Sequence, residues 1–136
     1  MSYAMAQGLQ SALFQRLTGD PALTALVGDA IYDALPGGTL PETYVLLGDE
    51  EARDASDQTG AGAVHEVTIG VVSRVAGFAD AKAAAGAVSD ALLSGPPMLE
   101  RGRIVGLWFL KARARRSGAG DERRIDLQFR ARTEDD

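Results

Sequence analysis

A change of hydrophobic period within residues 64–93 constrains the fold of this chain more than any other feature. Val67, Ile69 and Val71 alternate with polar or small residues, and this period of two, rich in β-branched residues, predicts a strand. From residue 78 the apolar residues follow a helical period instead; they are Phe78, Ala81, Ala85, Val88 and Leu92. Gly-Pro-Pro at residues 95–97 ends this helix. The chain therefore needs a sheet against which an alanine-rich helix can pack closely.

The other elements follow from the same two periods and from the turn residues between them. Helices are predicted over residues 5–18 and, after the Asp20-Pro21 start signal, up to Gly28. Ile31-Tyr32 is a short extended piece, and further strands are predicted over residues 44–47, 102–116 and 123–133, whereas residues 49–62 form an exposed loop or an extended strand arm. Within residues 102–116, strict alternation would place Ile104, Gly106, Trp108 and Leu110 on one face.

This order of elements predicts an α+β fold. We expect one domain over residues 1–136, with a mostly antiparallel sheet of about four strands and helices packed on one face. A chain of this length is sufficient for one domain with its own apolar core.

Composition excludes several functional classes. The chain has 136 residues, no cysteine, 1 histidine and a net charge of -5. The absence of cysteine excludes a disulfide framework and thiolate chemistry, and the net negative charge argues against a general nucleic-acid coat. No apolar run reaches the roughly 20 residues that a membrane span needs, and no signal peptide is predicted at the start.

His65 is the first candidate for catalysis or metal binding because it is the single histidine. A hydrolase or a zinc site would need further ligands, or a nucleophile with its base, and no such motif is present. We favour a structural or surface histidine at the start of a strand. The glycines at residues 60–62 and 118–120 lack the ending of a phosphate-binding loop and are predicted to be turns. The sequence therefore predicts no catalytic residue, no cofactor and no metal.

Three pieces of the sequence, taken in order, form a pattern that covers nearly the whole chain. They are QSALFQRLTGDPALTALVGDAIYDALP at residues 10–36, HEVTIGVVSR at residues 65–74 followed by Gly77 and the alanine-rich helix, and Arg103-Ile104-Val105 with the closing Phe129-Arg130-Ala131 strand. This pattern resembles a family of small tail-completion or tail-terminator proteins of long-tailed bacteriophages. Val72 stands where that family usually has an aromatic residue. The arginine-rich, lysine-poor composition would also suit a gene transfer agent, a phage-like particle.

The resemblance implies structural work in a virion and no catalysis. Proteins of this kind form a ring, expected to be a hexamer, that caps the tail tube and ends its growth. The ring offers a surface to head-completion or stopper proteins, and double-stranded DNA passes through its centre without specific binding. The implied location is the tail of a phage or phage-like particle, assembled in the bacterial cytoplasm and without a membrane partner.

Two other interpretations stay open. One is a different head–tail connector protein, such as a stopper or an adaptor, which would share partners but occupy another position. The other is a small α+β enzyme or ligand-binding domain. An enzyme needs a pocket with convergent polar groups, and the sequence displays no such cluster.

Two charged clusters are the candidate functional sites. The acidic cluster lies in the predicted loop after residue 48 and consists of Asp49, Glu50, Glu51, Asp54 and Asp57. It lacks the spacing of an EF-hand, so it is either a solvated loop or the lining of a ring lumen past which DNA slides without binding. The basic cluster flanks the tip of the last predicted hairpin and consists of Arg113, Arg115, Arg116, Arg123 and Arg124.

We favour a subunit interface for the basic cluster, in which it meets the acidic cluster of a neighbouring copy. A surface that binds nucleic acid by stacking needs aromatic residues between the basic ones, and this hairpin has none. The remaining alternative is a hairpin whose charges are simply solvated. Residues 101–136 contain ten Lys and Arg against six Asp and Glu, so the chain is divided in charge. Each exposed ion pair contributes only ~0–1 kcal/mol to association. Most of the affinity between subunits would therefore have to come from apolar contacts, which residues 105–110 or 44–47 could supply.

Overall fold

Three helices and five strands build the part of the chain that the computed structural model describes, residues 3–57, 60–117 and 121–136. In order they are α1 (Ala6–Thr18), α2 (Pro21–Val27), β1 (Ile31–Tyr32), β2 (Thr43–Asp54), β3 (Gly62–Ser73), α3 (Ala79–Leu93), β4 (Arg103–Arg116) and β5 (Arg123–Glu134). None of the helices in these residues has both the length and the apolar character that crossing a membrane requires.

The strands form one sheet with the order β1-β2-β3-β5-β4. Only the β1–β2 pair is parallel, and the other three pairs are antiparallel. The α+β prediction is confirmed. The sheet has five strands and not about four, because the short extended piece Ile31-Tyr32 pairs with Val45 and Leu46 and becomes an edge strand of its own.

The helices pack on one face of this sheet and cover an apolar core. Helix α3 turns Ala81, Ala84, Ala85, Val88, Ala91 and Leu92 inward, as its period predicts, whereas Phe78 is only half-buried at the N-cap. Helix α1 contributes Leu9, Leu13 and Leu17. From the sheet side the core receives the inward residues of β3 and β5, among them Val67, Ile69, Val71, Ile125, Leu127, Phe129 and Ala131. Alternation along both central strands therefore separates a covered face from an open one.

Helix α2 is positioned by its cap. The carboxylate of Asp20 accepts a hydrogen bond from the backbone N–H of Leu23 at 2.9 Å, and Pro21 occupies the first helical position. Gly28 ends the helix with a positive φ of 62°, a conformation that favours glycine. The chain then enters β1.

Strand β2 decides between the two alternatives for the residues after residue 48, an exposed loop or an extended strand arm. It continues to Asp54 and pairs with β3 over its whole length, from Thr43 opposite Ser73 to Asp54 opposite Ala63. A bulge between Leu47 and Glu50 interrupts the register. Gly48 lies in that bulge, where a Cβ would come within 3.1 Å of the Thr68 carbonyl oxygen. The acidic residues thus belong to the extended arm that the sequence left as the second possibility.

Two bulges in β4, between Ile104 and Gly106 and between Phe109 and Lys111, overturn the predicted alternation of that strand. Ile104, Leu107 and Phe109 lie opposite the buried Thr133, Ala131 and Phe129 of β5, so these three residues share the helix side of the sheet. Trp108 lies opposite Arg130 on the open face and does not share the side of Ile104. A bulge shifts every later side chain to the other face, which strict alternation cannot anticipate.

Candidate functional site

His65 is fully buried and joins three strands through polar contacts. Its Nε2 lies 3.2 Å from the hydroxyl of Thr133 on β5, and its Nδ1 lies 3.4 Å from a carboxylate oxygen of Glu50 on β2. The second oxygen of Glu50 accepts a hydrogen bond of 2.6 Å from the hydroxyl of Tyr3. The histidine is therefore structural, and the surface alternative is wrong.

The Tyr3–Glu50–His65–Thr133 network explains why Glu50 tolerates a half-buried position. A buried polar group is costly unless it is paired. Glu50 is paired through the Tyr3 hydroxyl, and the Nδ1 of His65 lies near its other carboxylate oxygen without the geometry of a hydrogen bond. The hydrogen bond to Glu50, together with the charge of that carboxylate, raises the pKa of the Tyr3 hydroxyl. The arrangement contains an imidazole, a carboxylate and two hydroxyls, but it serves to fasten the residues before α1 to the sheet.

The structure places the acidic cluster on β2 and just beyond it. Glu50 faces the helix side and is engaged by Tyr3 and His65, whereas Asp49 and Glu51 are exposed and have no ion pair among the described residues. A hydrogen bond from the Ser56 hydroxyl lowers the pKa of Asp54, and Asp57 accepts a hydrogen bond from the backbone N–H of Gly60. Within residues 3–57, 60–117 and 121–136, no group of three or more His, Asp and Glu side chains is placed to hold a metal ion.

The basic cluster lies where β4 ends and β5 begins. Arg115 and Arg124 both approach Asp126, at 3.5 Å and 3.0 Å. Arg113 is exposed and has no ion pair in the described part of the chain, and the same holds for Lys111 on the same strand. Arg116 lies opposite Arg123, so these two cations are neighbours at the hairpin end. The predicted turn at residues 118–120 lies outside the described residues.

The acidic and basic clusters are centred at opposite ends of the sheet, although Asp49 lines a trough on the open face that Arg113 also lines. Asp54 pairs with Ala63 at the start of β3, whereas Arg123 pairs with Ser73 at its end. Their strands are also separated by β3 and β5, so β2 and β4 are about 14 Å apart at a spacing of about 4.8 Å per strand. The backbones of the two clusters are therefore too far apart for a close ion pair, and Asp49 forms none with Arg113 among the described residues.

The open face of the sheet carries a trough that is open to solvent. Its lining includes Leu46, Thr68, Lys111, Arg113, Asp126 and Gln128 from four neighbouring strands. The trough collects cations but offers no nucleophile with an adjacent base, so its chemistry is that of a charged contact surface.

Strand β4 also carries exposed apolar residues on both faces of the sheet, Trp108 on the open face and Phe109 on the helix side. Val105, Trp108 and Phe109 are 46%, 49% and 44% exposed. Three large apolar side chains on one strand at the edge of a sheet are typical of a surface that binds another protein.

The comparisons with known proteins identify the family. A model of the family described as tail completion protein gp17 matches residues 11–134. The chain belongs to this family. The resemblance drawn from the sequence is thereby confirmed.

One solved structure is very similar to this tail-completion protein. A chain in the virion of a native gene transfer agent particle is 61% identical, with a TM-score of 0.93 over 98% of this chain and 99% of that chain. The type 4 fimbrial biogenesis protein PilO from Pseudomonas aeruginosa is 12% identical with a TM-score of 0.40, over 97% of this chain and 82% of that one, which is too distant to bear on function. Among curated proteins, none matches this chain.

Proposed function

We propose that this tail-completion protein forms a ring on the end of a tail tube in a gene transfer agent or a related phage particle. The ring ends tube growth and joins the tail to the head-completion or stopper proteins, and double-stranded DNA passes through its centre. One observation carries the proposal: the 61% identical chain, matched over 98% of this chain, comes from the virion of a native gene transfer agent particle.

The shape and charge of the molecule support a ring. A head-to-tail contact joins two different surfaces of the same chain, and it closes into a ring when its rotation is a whole fraction of a turn. Two pairs of charged side chains have no ion pair among the described residues. They are Asp49 and Glu51 on β2, toward one side of the sheet, and Lys111 and Arg113 on β4, at the other. The family resemblance sets the expected number of copies at six.

The proposed role includes no catalytic step. His65 is engaged with Glu50 and Thr133 in the interior, and the trough on the open face is a charged surface without a nucleophile. Double-stranded DNA passes through the ring in this proposal without specific binding.

Deletion of the gene in cells that produce the particles tests this function. Electron microscopy of the lysate should then reveal tubes of uncontrolled length and heads without tails, and a plasmid copy of the gene should restore joined particles of normal length. Tails of normal length that lie beside unattached heads would instead indicate a different head–tail connector, the alternative drawn from the sequence. Particles unchanged by the deletion would contradict the proposal.

A further inference from the structure

Strand β4 has a free outer edge. Its 14 residues, Arg103–Arg116, pair with β5 on one side, and in residues 3–57, 60–117 and 121–136 no strand pairs with the other side. The backbone N–H and C=O groups of such an edge are a template to which another strand can pair. Natural sheets usually protect an edge of this length.

The side chains of β4 are of the kind that another protein chain covers at an interface. Trp108 lies over Gly106, where a Cβ would overlap the indole ring, so the indole lies against the open face at the margin of the sheet. Phe109 is exposed on the opposite face of the same strand, and Val105 is exposed at the bulge between Ile104 and Gly106. Tryptophan and phenylalanine are enriched in the buried centre of protein interfaces, where they act as anchors.

The same sheet has a second free edge on its other side. Strand β1 pairs only with Val45 and Leu46, and no strand among the described residues continues along the outer side of β2 over residues 47–53. This stretch carries Asp49 and Glu51, both exposed. One chain thus presents a basic, partly apolar edge and an acidic edge.

We infer that β4 of one copy pairs with residues 47–53 of β2 in the next copy, so that the sheet continues from subunit to subunit. This inference rests on the proposed ring and names the surfaces that close it. Because β2 and β4 run in opposite directions within the sheet, a rotation about the ring axis brings them together as antiparallel neighbours. Cyclic repetition then covers residues 47–53 of β2 and about half of the 14-residue edge of β4.

The facing side chains are complementary in charge. Lys111 lies opposite Gln128 and Arg113 opposite Asp126, whereas Glu51 lies opposite Glu66, and all of these lie on the open face of the sheet. In a shared sheet, Lys111 and Arg113 are therefore on the same face as Glu51 of the next copy. Closing a sheet into a ring requires a stagger between strands, and one of about two residues brings Lys111 opposite Glu51.

A pair of charge-reversed variants tests the inference. The first carries Lys111→Glu and Arg113→Glu, and the second carries Asp49→Lys and Glu51→Lys. All four positions are exposed, so each purified variant should melt within a few degrees of the native protein. A matched control reverses two acidic residues elsewhere on the surface, Asp90→Lys and Glu100→Lys.

The variants are expressed from plasmids in cells from which the gene has been deleted. Each charge-reversed variant alone should fail to restore joined particles, because every junction then brings like charges together. Both variants expressed together should restore them, because alternating copies place opposite charges at every junction, and the control variant should restore them alone. The purified pair should also associate on mixing, with a blue shift in the emission of Trp108, the single tryptophan of the chain.

Each other outcome is decisive. Joined particles from either charge-reversed variant alone would overturn the inference. Failure of the two folded variants together, where the native gene succeeds, would show that these edges meet a different protein and not a second copy. If the deletion itself changes nothing, the proposed function fails; mixing of the purified variants then decides the pairing, and a mixture without association or blue shift overturns it.

Discussion

Phe109 and Phe129 face each other across the β4–β5 pair, yet they differ completely in exposure. Their ring centroids are 5.8 Å apart with the planes at 71°, and both lie on the helix side of the sheet. Phe129 is 0% exposed and Phe109 is 44% exposed. The helices cover the sheet as far as β5 and leave most of β4 uncovered. Apolar residues of β5 thus hold the fold together, whereas Phe109 and the other exposed apolar residues of β4 remain available for association.

The largest expected effect separates these two phenylalanines. Phe129→Ala removes a fully buried ring and leaves a cavity, which should lower the free energy of unfolding by ~3–5 kcal/mol. Phe109→Ala should lower it by only ~1 kcal/mol, because much of that ring is already in water. Urea denaturation of both variants measures the contrast. Equal losses of stability would mean that β4 is as well packed as β5, and would contradict the difference between the two strands.

The second prediction concerns the polar part of the covered region. His65→Ala removes the buried group that contacts both Glu50 and Thr133 and creates a cavity, so the free energy of unfolding should fall by roughly 2–3 kcal/mol. Lys111→Ala on the exposed strand is the matched comparison and should change it by less than about 0.5 kcal/mol. Denaturation curves that coincide for the two variants would contradict a structural role for His65.

The third prediction tests which face of α3 packs against the sheet. Ala85→Leu overpacks the contact between this helix and the sheet and should cost ~1–3 kcal/mol. Gly86→Ala, one residue further on the exposed side of α3 with open space around its Cβ, should instead stabilise the protein by roughly 1 kcal/mol. Thermal melts measure both. An unchanged melting temperature for Ala85→Leu would remove the assignment of this face to the core.

The smallest effect is expected at the exposed end of β5. Arg101 donates a hydrogen bond of 2.8 Å to Asp135, and this bond lowers the pKa of the Asp135 carboxyl below its ordinary 3.8. The contribution to stability is therefore present above pH 3.8 and is lost as the pH falls through the lowered value. An NMR titration of Asp135 should give a midpoint below 3.8, and Arg101→Ala should raise that midpoint toward the ordinary value. A midpoint at 3.8 in the native protein would exclude this ion pair in solution.

The sequence predicted the covered region well because local rules determine it. The change of period between β3 and α3, the Asp20 cap and the glycine after α2 each depend on a few neighbouring residues. The outer strands β2 and β4 were harder to predict from the sequence. Residues 49–54 are rich in Asp and Glu, which strands disfavour, and they become extended because β3 offers them partners. Bulges in β4 likewise depend on β5 and not on the local pattern.

The candidate site was predicted only in part. Composition identified the charged residues, but not that Glu50 turns inward to His65 while its neighbours stay exposed. Glu50 and Tyr3 are 47 residues apart in sequence, and no spacing rule connects them. The free edges are properties of strand order, which alternation along single strands does not reveal.

Disulfide trapping in assembled particles tests the central claim, that the β4 edge meets the β2 edge of the next copy, most directly. The chain has no cysteine, so Glu51→Cys can be combined in turn with Trp108→Cys, Lys111→Cys and Arg113→Cys to allow for the stagger. Within one molecule the two positions are about 14 Å apart, beyond the roughly 7 Å that a disulfide spans, so any bond joins two copies. At least one pair should give a ladder of covalent oligomers on a non-reducing gel, and Glu51→Cys alone should not. Joined particles in which all three pairs stay monomeric after oxidation would contradict the account.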